Sequence, residues 1–494
     1  MRSGPVPELA ETARSCAARL CEAESVLLAS HIDADGLTSA AIGSAALERA
    51  GIPHEVVFKK QLDDTEIASI AARPQGTVLF TDFGSGQLDT IAEHEAAGEF
   101  EPVIADHHQP ADATTDFHMN PLLVGLDGAS ELSGAGTTYV LARALAAVDD
   151  RTARPSGVAD NRDLAALAVV GAVGDMQATD EDGLVGANEG IVEEGIEAGV
   201  LDERTDLALY GKQTRPLPKL LEYASEVRIP GVSNDPQGAV SFLQELDIDA
   251  RAGDSWRRWV DLSDDERQTA VSALMQRALR RGVPAAKTEQ LVGTTYILTE
   301  EGEGTELRDA SEFSTLLNAT ARYERADVGL AVCLGDRDGA LDRAQRLLAN
   351  HRRNLSEGLD TVKQQGVEQA DNLQWFDAGT EIRETIVGIV AGMALGVDGV
   401  DPDCPILAFA QKQDESGGEA DNGSDSEGGD EGVGAGDRSA GRPGARPVCG
   451  RRRGRPRGRW RRRRSRHRSR CDHPDRRETD VRGNRRRARR GTAR

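Results

Sequence analysis

Four short β-rich runs in the N-terminal part of this chain each end in an acidic or histidine residue. The run 25–30 (SVLLAS) leads into His31-Ile32-Asp33-Ala34-Asp35-Gly36, and 77–81 (TVLFT) leads into Asp82. The run 102–105 (PVIA) leads into Asp106-His107-His108, and 164–173 (LAALAVVGAV) into Gly174-Asp175. Ala-rich stretches of helical pattern, among them 37–50 and 137–147, separate these runs. Strands alternating with helices predict a parallel α/β sheet with helices on both faces. Such sheets hold their ligands at the carboxyl ends of the strands, where all four motifs fall.

Carboxylates and imidazoles converging on one crevice are the donor set of divalent metals, with mixed nitrogen and oxygen favouring Mn²⁺ and mostly oxygen admitting Mg²⁺. Residues two apart on a strand share a face, so Asp33 and Asp35 are each expected to serve one of two neighbouring ions, with Asp82 between them. A pair of such ions clamps the oxygens of a phosphoryl transfer and acidifies water. Each motif also has an ordinary reading: DxDG as a turn, a lone Asp after a strand as a helix cap, one of two adjacent His as a surface residue. The conjunction favours metal, since three of the chain's nine His lie in these motifs. Ser133, Gly134 and Gly136 stand before a helix; they are read either as a backbone cradle for phosphate or as a plain loop and cap.

The four motifs resemble, in order and spacing, those of the DHH phosphoesterases. The wording of 31–39 (HIDADGLTS), 118–121 (HMNP) and 133–137 (SGAGT) is most similar to archaeal, and in particular haloarchaeal, RecJ-like single-strand-specific exonucleases. The resemblance covers residues 25–180 and, more weakly, 300–411. It implies that Asp33, Asp35, Asp82, His107 and Asp175 hold two divalent ions, Mn²⁺ or Mg²⁺. It also implies that His108 faces the scissile phosphate, that Asp106 orients its neighbouring His, and that His31 is either a metal ligand or a phosphate contact. Pyrophosphatases of the wider superfamily have a His four residues before the first Asp, where this chain has Ala29.

By composition and resemblance the chain divides into a DHH domain (1–190), a helical linker or insertion (191–300), the start of a smaller α/β domain like DHHA1 (301–411) and an acidic then Arg-rich tail (412–494). Runs at 328–334 (VGLAVCL) and 340–351 predict a strand and a helix; 386–396 fits either; 263–281 reads as an exposed amphipathic helix. The tract 413–432 holds no core-forming residue, and disorder is expected there.

Charge is distributed unevenly. Of 60 basic residues only seven are Lys, against 83 acidic ones; the 22 Arg and four acidic residues after Gly450 leave −41 on the rest. A body so acidic and Lys-poor reads as that of a salt-loving host with GC-rich DNA. It excludes anionic membranes, but not nucleic acid, because molar salt screens charge to about 3 Å. The six Cys form no CxxC pair, so neither a zinc site nor a disulfide framework is expected. Residues 1–10 have no apolar signal core and no run reaches the length of a membrane span, so the expected location is the cytoplasm.

DHHA1-type domains end in a Gly-rich GGGH motif that this chain lacks as written. Codons exist for 458–474 (GRWRRRRSRHRSRCDHP) which, read one base out of phase, give VDGGGGGHDIAAGATI. We therefore read the Arg-rich block as a frame shift beginning between about residues 432 and 455, which damages strand positioning and weakens activity. The expected function is a metal-dependent exonuclease on single-stranded DNA or RNA, with replication proteins as further partners. The alternatives are a phosphodiesterase of oligonucleotides or cyclic dinucleotides, and a non-catalytic replisome scaffold of the same family.

Overall fold

The computed structural model describes residues 4–411 apart from 149–159, 180–182, 225, 226, 398 and 403. The acidic tract, the Arg-rich block and the frame shift expected there lie outside the described residues. In chain order, α1 (Ala10–Glu22), β1 (Val26–His31), α2 (Ala34–Arg49), β2 (His54–Lys59), α3 (Asp64–Ala71), β3 (Thr77–Thr81), α4 (Leu88–Ala96), β4 (Glu101–Ala105), β5 (His118–Met119) and α5 (Gly134–Val148) build an α/β sandwich. Its sheet has the order β2-β1-β3-β4-β5, parallel throughout. The pleat sends alternate residues to opposite faces. Val26 and Leu28 meet Leu79, Val103 and the apolar sides of α1, α2 and α5, whereas Leu27, Ala29, Val78 and Phe80 pack on α3 and α4.

Register decides where the motifs go. Ser30 pairs with Thr81 and Thr81 with Ala105, so His31, Asp82 and Asp106 leave three adjacent strands at one level. The bond from Thr81 Oγ1 to Ser30 Oγ (2.8 Å) and that from Ser30 Oγ to the Gly36 carbonyl (2.7 Å) tie the strand ends to the first turn of α2.

The run 164–173, expected as a strand, is instead the helix α6 (Ala165–Gly174). Its small residues explain both the misreading and the structure. A Cβ on Gly171 would lie 2.5 Å from Ala135 Cβ and from Asp35 Oδ1, so the run packs as a helix at a distance that larger side chains would forbid. Asp175 therefore follows a helix, as its C-cap.

After α7 (Ala187–Ala198), β6 (Leu201–Leu207) pairs antiparallel with a distant strand, β9 (Val292–Leu298). Between them lie α8 (Leu217–Glu222), α9 (Pro236–Glu245), the hairpin β7 (Arg251–Ala252) and β8 (Ser255–Trp256), α10 (Asp264–Arg280) and α11 (Ala285–Glu289). They enclose a core of their own around Phe242, Trp259, Leu220 and Leu274. The segment is thus helical as expected, but closed by a strand pair that sequence patterning did not show.

Then come α12 (Ala310–Arg322), α13 (Ala326–Cys333), α14 (Gly339–Gln365), β10 (Glu368–Gln369), β11 (Gln374–Asp377), α15 (Val387–Ala394) and β12 (Ile406–Phe409). The expected strand at 328–334 is the helix α13: Val328 and Val332, one turn apart, are both fully buried. Gly329 between them lets the helix approach Leu37 of α2, where a Cβ would come within 2.7 Å. No helix of the described residues is long and apolar enough to cross a membrane.

Candidate metal centre

The N-terminus of α2 turns the first motif inward. Asp33 is its N-cap, accepting the Gly36 N–H at 3.0 Å, and Asp35 lies in the first turn. A helix start, rather than the strand periodicity expected from sequence, thus separates the two carboxylates and sends them to different partners. Asp33 Oδ2 lies 3.0 Å from His31 Nδ1, which is 3.7 Å from Asp82 Oδ2. Asp82 Oδ1 lies 3.3 Å from His107 Nε2, which stands 3.7 Å from Asp35 Oδ2 and 3.8 Å from Asp175 Oδ2. His31 and Asp33 gather with Asp82 on one side, and Asp35 and Asp175 gather with His107, whose Nε2 faces the other oxygen of Asp82.

The Asp35, Asp82 and His107 side chains are at most 6% exposed, against 30% for His31, 32% for Asp175 and 44% for Asp33, so a buried middle is flanked by open carboxylates. Burial raises Asp35, and the Asp82 charge adds to it; burial also raises Asp175. Asp82 is equally desolvated, yet the imidazoles of His107 and His31 beside it hold its carboxyl below the usual range. Burial opposes charge on those rings too, but Asp82 and Asp35 push His107 up to about 11, and Asp33 and Asp82 push His31 up to about 10.

Those residues fit divalent cations. Asp82 Oδ1 and His107 Nε2 are buried with no hydrogen-bond partner, although buried polar atoms are otherwise almost always satisfied. His107 is oriented by its far side, since Nδ1–H donates to the Gly128 carbonyl at 2.7 Å and turns Nε2 toward the carboxylates. Gln177 Nε2 donates to the same carbonyl and to Asp175 Oδ2, both at 2.9 Å, and Asn188 Nδ2 donates to Gln177 Oε1 at 2.7 Å.

Asp106 has a different part. Its Oδ1 accepts from the His107 and His108 N–H groups (2.7 and 3.2 Å) and from His108 Nδ1 (2.8 Å), and its Oδ2 from the Ser85 N–H (2.9 Å). Against burial, the bond from His108 holds Asp106 down, and Asp106 in turn raises His108. His108 is half exposed, with its ring centroid 4.3 Å from that of His107. Asn120 braces this corner, donating to the His108 carbonyl (2.8 Å) and to Ser85 Oγ (2.9 Å), which also meets His118 Nε2 at 2.8 Å.

The structure puts the 133–136 loop to another use than a phosphate cradle. The N–H groups of Gly134 and Ala135 donate to Asp35 Oδ2 (2.7 Å) and Oδ1 (3.0 Å), and that of Gly136 to Ser133 Oγ (3.1 Å). Ser133, Gly134 and Gly136 are buried beneath the centre, and the start of α5 anchors Asp35. Of the supporting residues, His118 and Asn120 lay in a motif already singled out. Gly128, Gln177 and the anchoring amides carry no local signature, because they act through backbone groups or through contacts made only by folding.

The DHH-CID domain family matches residues 209–292, the span that carries its own core. An uncharacterized protein of Methanocaldococcus jannaschii is 26% identical over 387 residues, which cover 77% of each chain. CDC45 from Entamoeba histolytica shares the fold, with a TM-score of 0.55 at 12% identity over 83% of this chain and 85% of its own. RecJ from Thermus thermophilus in complex with Mn²⁺ gives a TM-score of 0.48 at 17% identity over 81% of this chain, which spans only 46% of the RecJ chain. The match thus assigns the span 209–292 to the DHH-CID family, and the chain shares its fold with CDC45.

Proposed function

We propose that the protein is a metal-dependent phosphodiester hydrolase, a RecJ-like exonuclease on single-stranded DNA or RNA. The observation that carries this reading is the position of Asp82, one of whose oxygens faces His31 while the other faces the buried His107, itself flanked by Asp35 and Asp175. His31, Asp33 and Asp82 would hold one ion, and Asp35, His107, Asp175 and Asp82 the other. When bound, two Mn²⁺ or Mg²⁺ ions neutralise phosphate charge and acidify water at the site. Asp106 fixes the His108 proton on Nδ1 and favours the imidazolium. The outer nitrogen, Nε2, then carries a proton for a phosphoryl or leaving oxygen. The Asp106–Ser85–Asn120 network keeps that ring in place while substrate enters from the open side.

A scaffold reading draws on the fold shared with CDC45 and on the DHH-CID match. The full ligand set favours the enzyme. Hydrolysis of a 5′-labelled single-stranded oligonucleotide, followed with Mn²⁺ in high salt, separates the two. The expected result is shortening that is lost in the Asp106→Ala/His107→Ala variant. No hydrolysis, even from a chain with its C-terminal frame restored, would contradict the enzyme reading and leave the scaffold. Dependence on substrate length distinguishes strands from dinucleotides.

A further inference from the structure

The turn from β1 into α2 sets the distance between Asp33 and Asp35, and hence between the two donor groups. Ala34, between them, is the first residue of α2, so its N–H has no acceptor within the helix. The Asp33 carboxylate, as N-cap, serves the Gly36 N–H and lies against His31, which leaves the Ala34 N–H to another acceptor. The acceptor comes from 284 residues further along: Oδ1 of Asn318, in the middle of α12, at 3.0 Å. Only the amide oxygen accepts from a backbone N–H, so this bond also fixes which way the amide faces.

Helix α12 is held firmly enough to make such a bond count. Phe313, Leu316 and Leu317 are buried in the main core, and Ser314 lies against Gly174, where a Cβ would come within 3.1 Å of Ser314 Cβ and 2.7 Å of Ala34 Cβ. Near its start, Glu312 accepts from the Gln213 N–H (2.7 Å) and from Thr214 Oγ1 (2.6 Å), within the span matched by the DHH-CID family.

We propose that Asn318 is a positioning residue of the metal centre. Its side-chain carbonyl holds the Ala34 N–H and thereby keeps Asp33 and Asp35 at the spacing that two ions require. The inference rests on the metal-centre reading above. Supporting residues behind metal ligands are worth roughly 10- to 100-fold in affinity.

The test is Mn²⁺ binding by the full chain in molar potassium chloride, read from the paramagnetic resonance of free Mn²⁺, with unfolding followed in parallel. Asn318→Ala removes the acceptor; Asn318→Leu removes it while keeping the volume; Asn318→Asp retains it. The expected result is about tenfold weaker binding in the Ala and Leu variants, with the Asp variant at least as tight as wild type. A helix that merely packs would change stability without this ordering. Wild-type affinity in a folded Leu variant overturns the proposal, as does failure of both the Ala and Leu variants to fold. A wild-type chain that binds no Mn²⁺ overturns the metal-centre reading instead.

Discussion

Asp82 carries an unusual load for one residue. It leaves β3 with a φ of 58°, the left-handed region that side chains rarely adopt, and its carboxylate is buried between two imidazoles. Strain of this kind persists where the surroundings over-determine it, commonly at functional sites, and is worth about 1–3 kcal/mol. Asp82→Gly and Asp82→Ala lose the same carboxylate, and both are expected to abolish Mn²⁺ binding, but only Ala keeps a Cβ at this φ, so the metal-free Gly variant should be the more stable of the two by about 1 kcal/mol. Denaturant titration and calorimetry check the two halves separately, and a Gly variant no more stable than the Ala variant would contradict the strain argument. Gly134 offers a complementary test: a Cβ there would lie 2.5 Å from Asp82 Oδ1 and 2.9 Å from Asp35 Oδ2. Gly134→Ala should displace both carboxylates and weaken Mn²⁺ binding roughly tenfold or more, an effect that calorimetry would detect.

At the scale of elements, α12 links the metal loop to the span 209–292, and its Glu312 makes that link sensitive to pH. The side chain is fully buried, and burial, aided by the Asp309 charge, pushes its carboxyl up to about 7 from an ordinary 4.5. A carboxyl raised on folding contributes stability that is complete below its unfolded value and is lost as pH climbs through the folded one. The stability of wild type relative to Glu312→Gln should accordingly fall by roughly 2 kcal/mol between pH 5 and 8, as measured by denaturation at each pH. Parallel profiles would show that the carboxyl is not perturbed. The elements also show what the sequence could and could not disclose. Strands β1, β3 and β4 were legible, as were the acidic residues beyond them, because apolar runs and punctuation are local, whereas β2 and the two-residue β5 were not picked out. The helices α6 and α13 were not: runs such as LAALAVVGAV fit a buried strand or a buried helix equally, and close packing around Gly171 and Gly329 decides between them. The β6–β9 pair, closed across 84 intervening residues, lay beyond any local pattern.

For the whole molecule, the centre is assembled from three strand ends, two helix termini and, in our proposal, one amide from a helix far along the chain. Its candidate ligands all lie within 31–175, whereas the Gly-rich motif expected to help position a strand would fall beyond 411, where the Arg-rich block stands. Restoring the frame that encodes the Gly-rich motif is expected to raise the rate on a long single strand at least tenfold, since positioning alone supplies several kcal/mol in such reactions. Equal rates from the two chains would contradict the frame-shift reading. The account stands most directly on whether one chain holds two ions about Asp82. Titration calorimetry with Mn²⁺ in molar salt should give two sites per chain, with two-site binding lost in Asp82→Ala. A single site in wild type, or two sites that survive removal of Asp82, would contradict it.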